Sequence, residues 1–194
     1  VDEFGASGFY TGGARMSPVP GPLGRMNPKA LDQAIHRYSR DLVPAGQPMA
    51  VTITQATEVG TVYTVDDVKA IAEVSRRHGL PLHMDGARFA NAIAATNVSP
   101  AEMTWKSGVD IISFGATKNG CWMADAGVVL NPDMAKDLRL LRQRAGQTFS
   151  KARFISAPFE AYFTDGLWLN LPGNHNAMAE RLAGEIVDAP AGLM

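Results

Sequence analysis

The sequence predicts an α/β fold in which helices flank a mainly parallel sheet. Short apolar runs of strand length alternate with amphipathic stretches at helical spacing, the pattern of parallel strands joined by helical crossovers. The 194 residues suffice for one sizeable core. With 46% hydrophobic and 19% charged residues, the composition is that of a globular chain and argues against intrinsic disorder.

The first elements along the chain are a loop, a helix and a strand. Residues 1–27 are rich in Gly and Pro and predict mostly loop, with one short strand at most. Asn27 and Pro28 predict the cap and first residue of a helix, because helically spaced apolar residues follow as far as Tyr38. Residues 49–54 predict a buried strand.

Two capping boxes predict the starts of the next long helix and of a later short one. Thr64 with Asp67 opens a helix that Gly79 ends, and Ser99 with Glu102 opens the other. Between them the pattern predicts a buried strand over 80–84 and a short helix over 86–95.

The rest of the chain predicts two strands and three helices. The strands cover 109–113 and 126–130. One helix begins at Asn131-Pro132, an aromatic helix follows, and an amphipathic helix closes the chain; the last two cover 154–163 and about 174–187.

Charge and cysteine content exclude several classes of function. Eighteen basic and nineteen acidic residues leave a net charge of -1, which gives no global argument for binding nucleic acid or a membrane surface. The single cysteine, Cys121, rules out an internal disulfide framework and a cysteine-rich zinc site. No apolar run is long enough to span a bilayer and no secretory signal is visible. We therefore expect a cytoplasmic protein without nucleic-acid or membrane partners.

The first candidate site is the segment from His83 to Arg88. His83 and Asp85 are two residues apart, so on a strand both side chains point to the same face. A strand-end aspartate needs a stabilising partner, which Arg88 could provide. The segment is equally consistent with an Asp cap and a local salt bridge to Arg88. We expect no metal here, because no further His or Asp stands at a suitable spacing.

The second candidate is Lys118, in the segment that follows the strand predicted over 109–113. The other five lysines lie in predicted helices or loops where a solvated side chain costs nothing, whereas Lys118 alone follows a core strand in a loop of small residues. A lysine held there could act as a Schiff-base nucleophile. The spacing alone is also typical of a surface-loop lysine, and the segment lacks the order of residues of a phosphate-binding P-loop.

A strand-end aspartate and a strand-end lysine separated by one helical crossover together suit pyridoxal phosphate. Asp85 would keep the pyridine nitrogen protonated, and Lys118 would carry the aldehyde.

Three segments resemble the low-specificity L-threonine aldolases: residues 54–63 (TQATEVGTVY), 83–92 (HMDGARFANA) and 107–119 (SGVDIISFGATKN). These enzymes belong to the β-eliminating-lyase group of pyridoxal-phosphate enzymes with the aspartate-aminotransferase fold. The resemblance implies an incomplete fold-type-I large domain over 1–170, with 171–194 leading to a C-terminal small domain. It also implies that the chain is a fragment that lacks N- and C-terminal segments, among them the family's upstream phosphate loop and ring-stacking histidine. An enzyme of this kind would be intact only when the missing segments or a partner chain are supplied.

The resemblance implies a role for each of four residues. Lys118 would form the imine with the cofactor, Asp85 would contact the pyridine nitrogen, and Arg88 would lie beside the phenolic oxygen. Glu58 stands where many family members have a histidine, and is a candidate for the base that takes the β-hydroxyl proton, although it is equally typical of an exposed loop carboxylate.

The function implied by the resemblance is retro-aldol cleavage of L-threonine or L-allo-threonine to glycine and an aldehyde, in a homodimer or homotetramer. The alternatives are a phenylserine aldolase or a β-eliminating amino-acid lyase of the same fold, or a non-catalytic α/β fragment.

Overall fold

The structure, a computed structural model, describes residues 4–38, 41 and 43–187. Within these residues the strands are β1 (Val51–Thr54), β2 (Leu82–Gly86), β3 (Ile111–Gly115) and β4 (Asp125–Val129). The α-helices are α1 (Ala6–Tyr10), α2 (Pro28–His36), α3 (Val65–Arg77), α4 (Phe89–Thr96), α5 (Pro100–Met103), α6 (Leu138–Arg144), α7 (Arg153–Phe163) and α8 (Leu167–Ile186).

The four strands form one sheet in the order β1-β2-β3-β4, which confirms the predicted α/β class. The β1–β2 and β2–β3 pairs are parallel, and β4 is antiparallel to β3. Helix α3 connects β1 to β2, and α4 and α5 lie between β2 and β3, as parallel crossovers require. The carboxyl ends of β1, β2 and β3 therefore lie at one edge of the sheet.

The core lies against one face of the sheet. Leu82 and Met84 on β2 are 1% and 0% exposed, whereas the alternate residues His83 and Asp85 are only partly buried. The strand thus places its polar residues together on the other face, as its period of two predicts. Phe114 on β3 makes edge contacts with the rings of Tyr162 and Trp168, and these contacts join α7 and α8 to the sheet.

Both predicted capping boxes are confirmed. In each, the hydroxyl of the cap residue accepts from the third residue's N–H, and that residue's carboxylate accepts from the cap N–H. Gly79 follows α3 with φ +68°, a left-handed conformation that glycine adopts without strain. The next strand begins at Leu82 rather than at residue 80, because the Leu80 N–H still closes the end of α3 by donating to the Ser75 carbonyl.

Other predictions of elements and their bounds are wrong as well. The described part of residues 1–27 contains the short helix α1 and a turn at Pro22–Gly24 rather than a strand. The helix predicted from Asn131 is interrupted: a 3-10 turn covers Pro132–Met134, and α6 starts only at Leu138. The last helix starts at Leu167 instead of 174, with Pro172 inside it.

The predicted domain boundary between residues 170 and 171 lies within α8, and the division itself stays a prediction. No described helix is both long and apolar enough to cross a membrane. Cys121, the chain's one cysteine, is a buried free thiol, as expected for a small core residue.

Candidate functional site

Three of the candidate residues lie in segments at the same edge of the sheet. Glu58 is in the loop after β1, Asp85 is the penultimate residue of β2, and Lys118 is in the 3-10 turn Thr117–Asn119 after β3. In open α/β sheets, ligands bind in the crevice outside the carboxyl ends of the strands.

The Asp85 carboxylate is held by its own loop. Its Oδ1 accepts a hydrogen bond of 3.0 Å from the Ala87 N–H, and within the described residues its Oδ2 has no hydrogen-bond partner. In the sheet register Asp85 is paired with Ser113 of β3. The suggested salt bridge from Arg88 is not formed, and Asp85 does not cap α4, whose N-cap residue is Arg88. One carboxylate oxygen is therefore available to a ligand.

His83 lies between two hydroxyl groups on the same face as Asp85. One ring nitrogen, Nδ1, is 2.8 Å from Thr52 Oγ1, and the other, Nε2, is 2.8 Å from Ser113 Oγ. Burial lowers the pKa of His83, and this effect exceeds the opposing influence of the Asp85 charge. A neutral imidazole that uses both nitrogens in hydrogen bonds fixes the side chains of β1 and β3 across β2.

Two glycines allow the Asp85 loop and the Lys118 loop to touch. A Cβ atom placed on Gly115, at the end of β3, would lie 2.6 Å from the Ala87 Cα and 2.8 Å from the Ala87 carbonyl oxygen. On Gly86 it would lie 2.9 Å from the Ser113 carbonyl oxygen. Any larger residue at these positions would force apart the backbones that carry Asp85 and Lys118.

The turn that carries Lys118 is fixed on its N-terminal side by Asp125. The Asp125 Oδ1, at the start of β4, accepts from the Ala116 N–H at 2.8 Å and from the Thr117 N–H at 3.2 Å. Ala116 is fully buried, whereas Lys118 is exposed. The backbone of the turn is thus ordered while the amine remains accessible.

Asn119 fixes the same turn on its C-terminal side. Its side chain is 1% exposed, and its Nδ2 donates to the Tyr162 hydroxyl and, at 3.0 Å, to the Trp168 carbonyl. Burial raises the pKa of the Tyr162 phenol. Asn119 therefore joins the Lys118 turn to α7 and to the first turn of α8.

The contact with Trp168 also explains how α8 accommodates a proline. In a regular helix the N–H of residue 172 would donate to the carbonyl of residue 168, but Pro172 has no N–H. The Asn119 amide provides the missing donor. The helix can therefore continue through Pro172, and a proline that normally signals a helix end is instead part of the anchor of the Lys118 turn.

Glu58 and Arg88 are brought together by the fold. The Arg88 NH1 atom lies 3.3 Å from Glu58 Oε1, and the Glu58 side chain is 82% exposed. Glu58 lies in the loop between Gln55 and Tyr63, and Gln55 holds the two ends of this loop together. The buried side-chain amide of Gln55 donates to the Tyr63 carbonyl and accepts from the Tyr63 N–H, each at 3.0 Å. Glu58 is thus an exposed carboxylate on an ordered loop, paired with the arginine that follows β2.

Sequence reasoning assigned no role to three residues that shape this site: Ser113, Asn119 and Asp125. Ser113 could have been found from strand alternation: it is two residues after Ile111, and in the β2–β3 register it pairs with Asp85 as Ile111 pairs with His83. Asn119 and Asp125 act through contacts with α8 and the Lys118 turn, which no local pattern indicates. The site therefore combines an accessible amine, a carboxylate with one free oxygen, and an arginine–carboxylate pair.

The chain is similar in sequence to a known family of lyases and to two aldolases. The family model described as beta-eliminating lyase matches residues 1–193. A low-specificity L-threonine aldolase of Pseudomonas aeruginosa is 42% identical over 191 residues, and one from a Pseudomonas species is 40% identical over 190. Each alignment covers 98% of this chain and 54% of the relative, so the chain spans about half the length of these proteins.

A solved structure gives the same result for the fold. The threonine aldolase of Leishmania major superposes with a TM-score of 0.86 at 28% sequence identity, over 96% of this chain and 53% of that protein. The predicted fold-type-I architecture is thereby confirmed.

Proposed function

The chain belongs to the beta-eliminating lyase family, and from this membership we propose that it carries the cofactor-binding core of an aldolase. The substrates would be L-threonine and L-allo-threonine, and the products glycine and an aldehyde. Lyases of this family depend on pyridoxal phosphate. We also propose that residues 1–170 belong to the large domain, and that the protein is cytoplasmic and a homodimer or homotetramer.

The observation that carries the proposal is the contact between the two loops. Gly115 lies against the backbone of Ala87, and this contact holds the loop of Lys118 beside the loop of Asp85. An amine and a carboxylate on adjoining loops are the two groups that a cofactor with an aldehyde and a basic ring nitrogen needs. The donor set of the site therefore fits pyridoxal phosphate.

When bound, pyridoxal phosphate supplies an electron sink for the carbanion left when the Cα–Cβ bond of the substrate breaks. Lys118 would bind the aldehyde carbon covalently through Nζ. Asp85 would hold the proton of the ring nitrogen at Oδ2, since Oδ1 is already engaged by the Ala87 N–H. Arg88 would lie at the phenolic oxygen, from where it also orients Glu58.

Glu58 would take the proton of the substrate's β-hydroxyl group. Its pairing with Arg88 keeps the carboxylate beside the site, and its exposed oxygens can receive the proton directly or through one water. His83 touches none of these groups in our proposal. It would act as a positioning residue that holds Ser113 next to Asp85.

The proposal is tested by product analysis. The protein is incubated with pyridoxal phosphate and L-threonine or L-allo-threonine, and the products are separated. We expect glycine and acetaldehyde from both substrates, and no products from the Lys118→Ala variant. 2-Oxobutyrate with ammonia from these substrates would instead indicate a β-eliminating lyase. Turnover of phenylserine, offered in a separate assay, without turnover of either threonine isomer would indicate a phenylserine aldolase. No product in either assay, once the segments that the resemblance implies are missing have been supplied, would leave the non-catalytic alternative.

A further inference from the structure

A second cluster of chemically active side chains lies where the C-terminal ends of α2 and α3 meet. Asp32 and His36 are four residues apart on α2, and His78 is the C-cap residue of α3. Each offers one ligand atom, and these atoms all lie within 4.8 Å of one another. Because α3 starts after the carboxyl end of β1 and ends before β2, His78 is at the opposite edge of the sheet from Lys118.

The carboxylate of Asp32 lies between the two imidazole rings. Its Oδ1 is 2.9 Å from His78 Nε2, and its Oδ2 is 3.7 Å from His36 Nδ1. The two rings are nearly perpendicular, with centroids 4.9 Å apart. The hydrogen bond from His78 holds the pKa of Asp32 below its usual range, so the carboxylate is charged at neutral pH.

We propose that Asp32, His36 and His78 bind a divalent transition-metal cation, of which Zn²⁺ fits best. Two imidazoles and one carboxylate form a ligand set that zinc accepts, with water at the remaining position. The cation would take the place of the direct contact of 2.9 Å between His78 Nε2 and Asp32 Oδ1. The His36 side chain is 66% exposed, which leaves room for water to complete the coordination.

The helices that carry the ligands are anchored, so only side chains need to move. Leu31 on α2 is 3% exposed and Val74 on α3 is 5% exposed, and both belong to the main core. On a helix, residues four apart lie on the same face, which lets Asp32 and His36 approach one ion together. A bound cation would therefore clamp α2 to the end of α3 and stabilise the fold away from the proposed aldolase site.

Arg77 is the group that opposes the cation. Its NH2 lies 3.4 Å from Asp32 Oδ1, where it competes for the carboxylate and repels a positive ion. The Arg77 side chain is 59% exposed and can turn into water when a metal binds. Removal of this charge should therefore strengthen metal binding, whereas it would weaken a purely structural ion-pair cluster.

The test is calorimetric titration of the metal-free chain with zinc chloride, followed by thermal denaturation with and without the metal. We expect one saturable site and a higher melting temperature. His36→Ala and His78→Ala should bind at least about tenfold more weakly, since even outer-shell partners contribute 10–100-fold. His175→Ala, which removes an exposed histidine from α8, is the matched control and should bind normally.

Arg77→Gln provides the opposite test and should bind zinc more tightly than the unsubstituted chain. The proposal is overturned if the unsubstituted chain shows no saturable site, if His36→Ala binds as well as His175→Ala, or if Arg77→Gln binds more weakly. Because the His36 side chain is mostly exposed, its variant remains informative should His78→Ala fail to fold. None of these readouts depends on aldolase activity.

Discussion

Replacement of Asn119 by alanine should weaken the anchoring of the Lys118 turn and so lower the free energy of unfolding of the chain. The variant loses two hydrogen bonds of Nδ2, each contributing about 0.5–1.5 kcal/mol. It also leaves the Trp168 carbonyl without a donor, because Pro172 has no N–H. Removal of Asn119 Oδ1, a buried atom that has no hydrogen-bond partner among the described residues, offsets part of this loss. We expect a net destabilisation of about 2 kcal/mol.

A second substitution isolates the Trp168 contact. Pro172→Ala restores an N–H that can donate to this carbonyl, so the double variant should be less destabilised than the sum of the two single variants, by about 1 kcal/mol. The measurement is urea denaturation followed by circular dichroism for the four proteins of the cycle. Asn174→Ala, which removes an exposed amide from the same helix, is the control and should change stability by less than about 0.5 kcal/mol. Strict additivity of the two substitutions would refute the assignment of Asn119 as the donor that replaces the missing N–H.

Three further predictions concern the same edge of the sheet. Gly115→Ala should destabilise the chain by about 1–3 kcal/mol, because its Cβ meets backbone atoms. Gly127→Ala should be nearly neutral in the same denaturation assay, because a Cβ added there would meet no described atom beyond its chain neighbours within 4 Å. The free energy of unfolding should fall as the pH decreases below about 6.5, the ordinary pKa of histidine. The pKa of His83 is lowered in the folded chain, so the unfolded chain binds the proton first. The fall should level off below the folded-state pKa, and it should be smaller in His83→Gln. Asp125→Ala removes the acceptor of two backbone N–H groups, and should lower stability by about 1–3 kcal/mol and slow labelling of Lys118 by pyridoxal phosphate, measured by mass spectrometry.

Much of the fold could be predicted because the signals are local. The Thr64 and Ser99 capping boxes, and the apolar runs of the strands, depend on neighbouring residues only. The start of α8 could not be predicted in this way. In the sequence, Pro172 is typical of a helix end. In the structure, the Asn119 side chain donates to the Trp168 carbonyl, which Pro172 cannot do, and Asn119 lies more than fifty positions earlier in the chain.

In the candidate site, too, some features follow from local sequence signals and others depend on contacts between distant residues. Lys118 and Asp85 were identified from their positions after core strands and from the family resemblance, and the fold sets their loops in contact. The sequence suggested Asp85 as the partner of Arg88, but the partner is Glu58. This pairing has no local signal, because Glu58 and Arg88 are thirty residues apart and meet only when β1 and β2 pair. The antiparallel direction of β4, which brings Asp125 to the Lys118 turn, likewise has no local signal.

Lys118 is the residue that we propose reacts with the cofactor aldehyde. The most direct measurement is borohydride reduction of the chain after incubation with pyridoxal phosphate, followed by peptide mass spectrometry. We predict one stoichiometric phosphopyridoxyl group on the peptide that contains Lys118. The group should be absent in Lys118→Ala and retained in Lys136→Ala, a control that removes another exposed lysine. A label spread evenly over all six lysines, or missing from Lys118, would contradict the account.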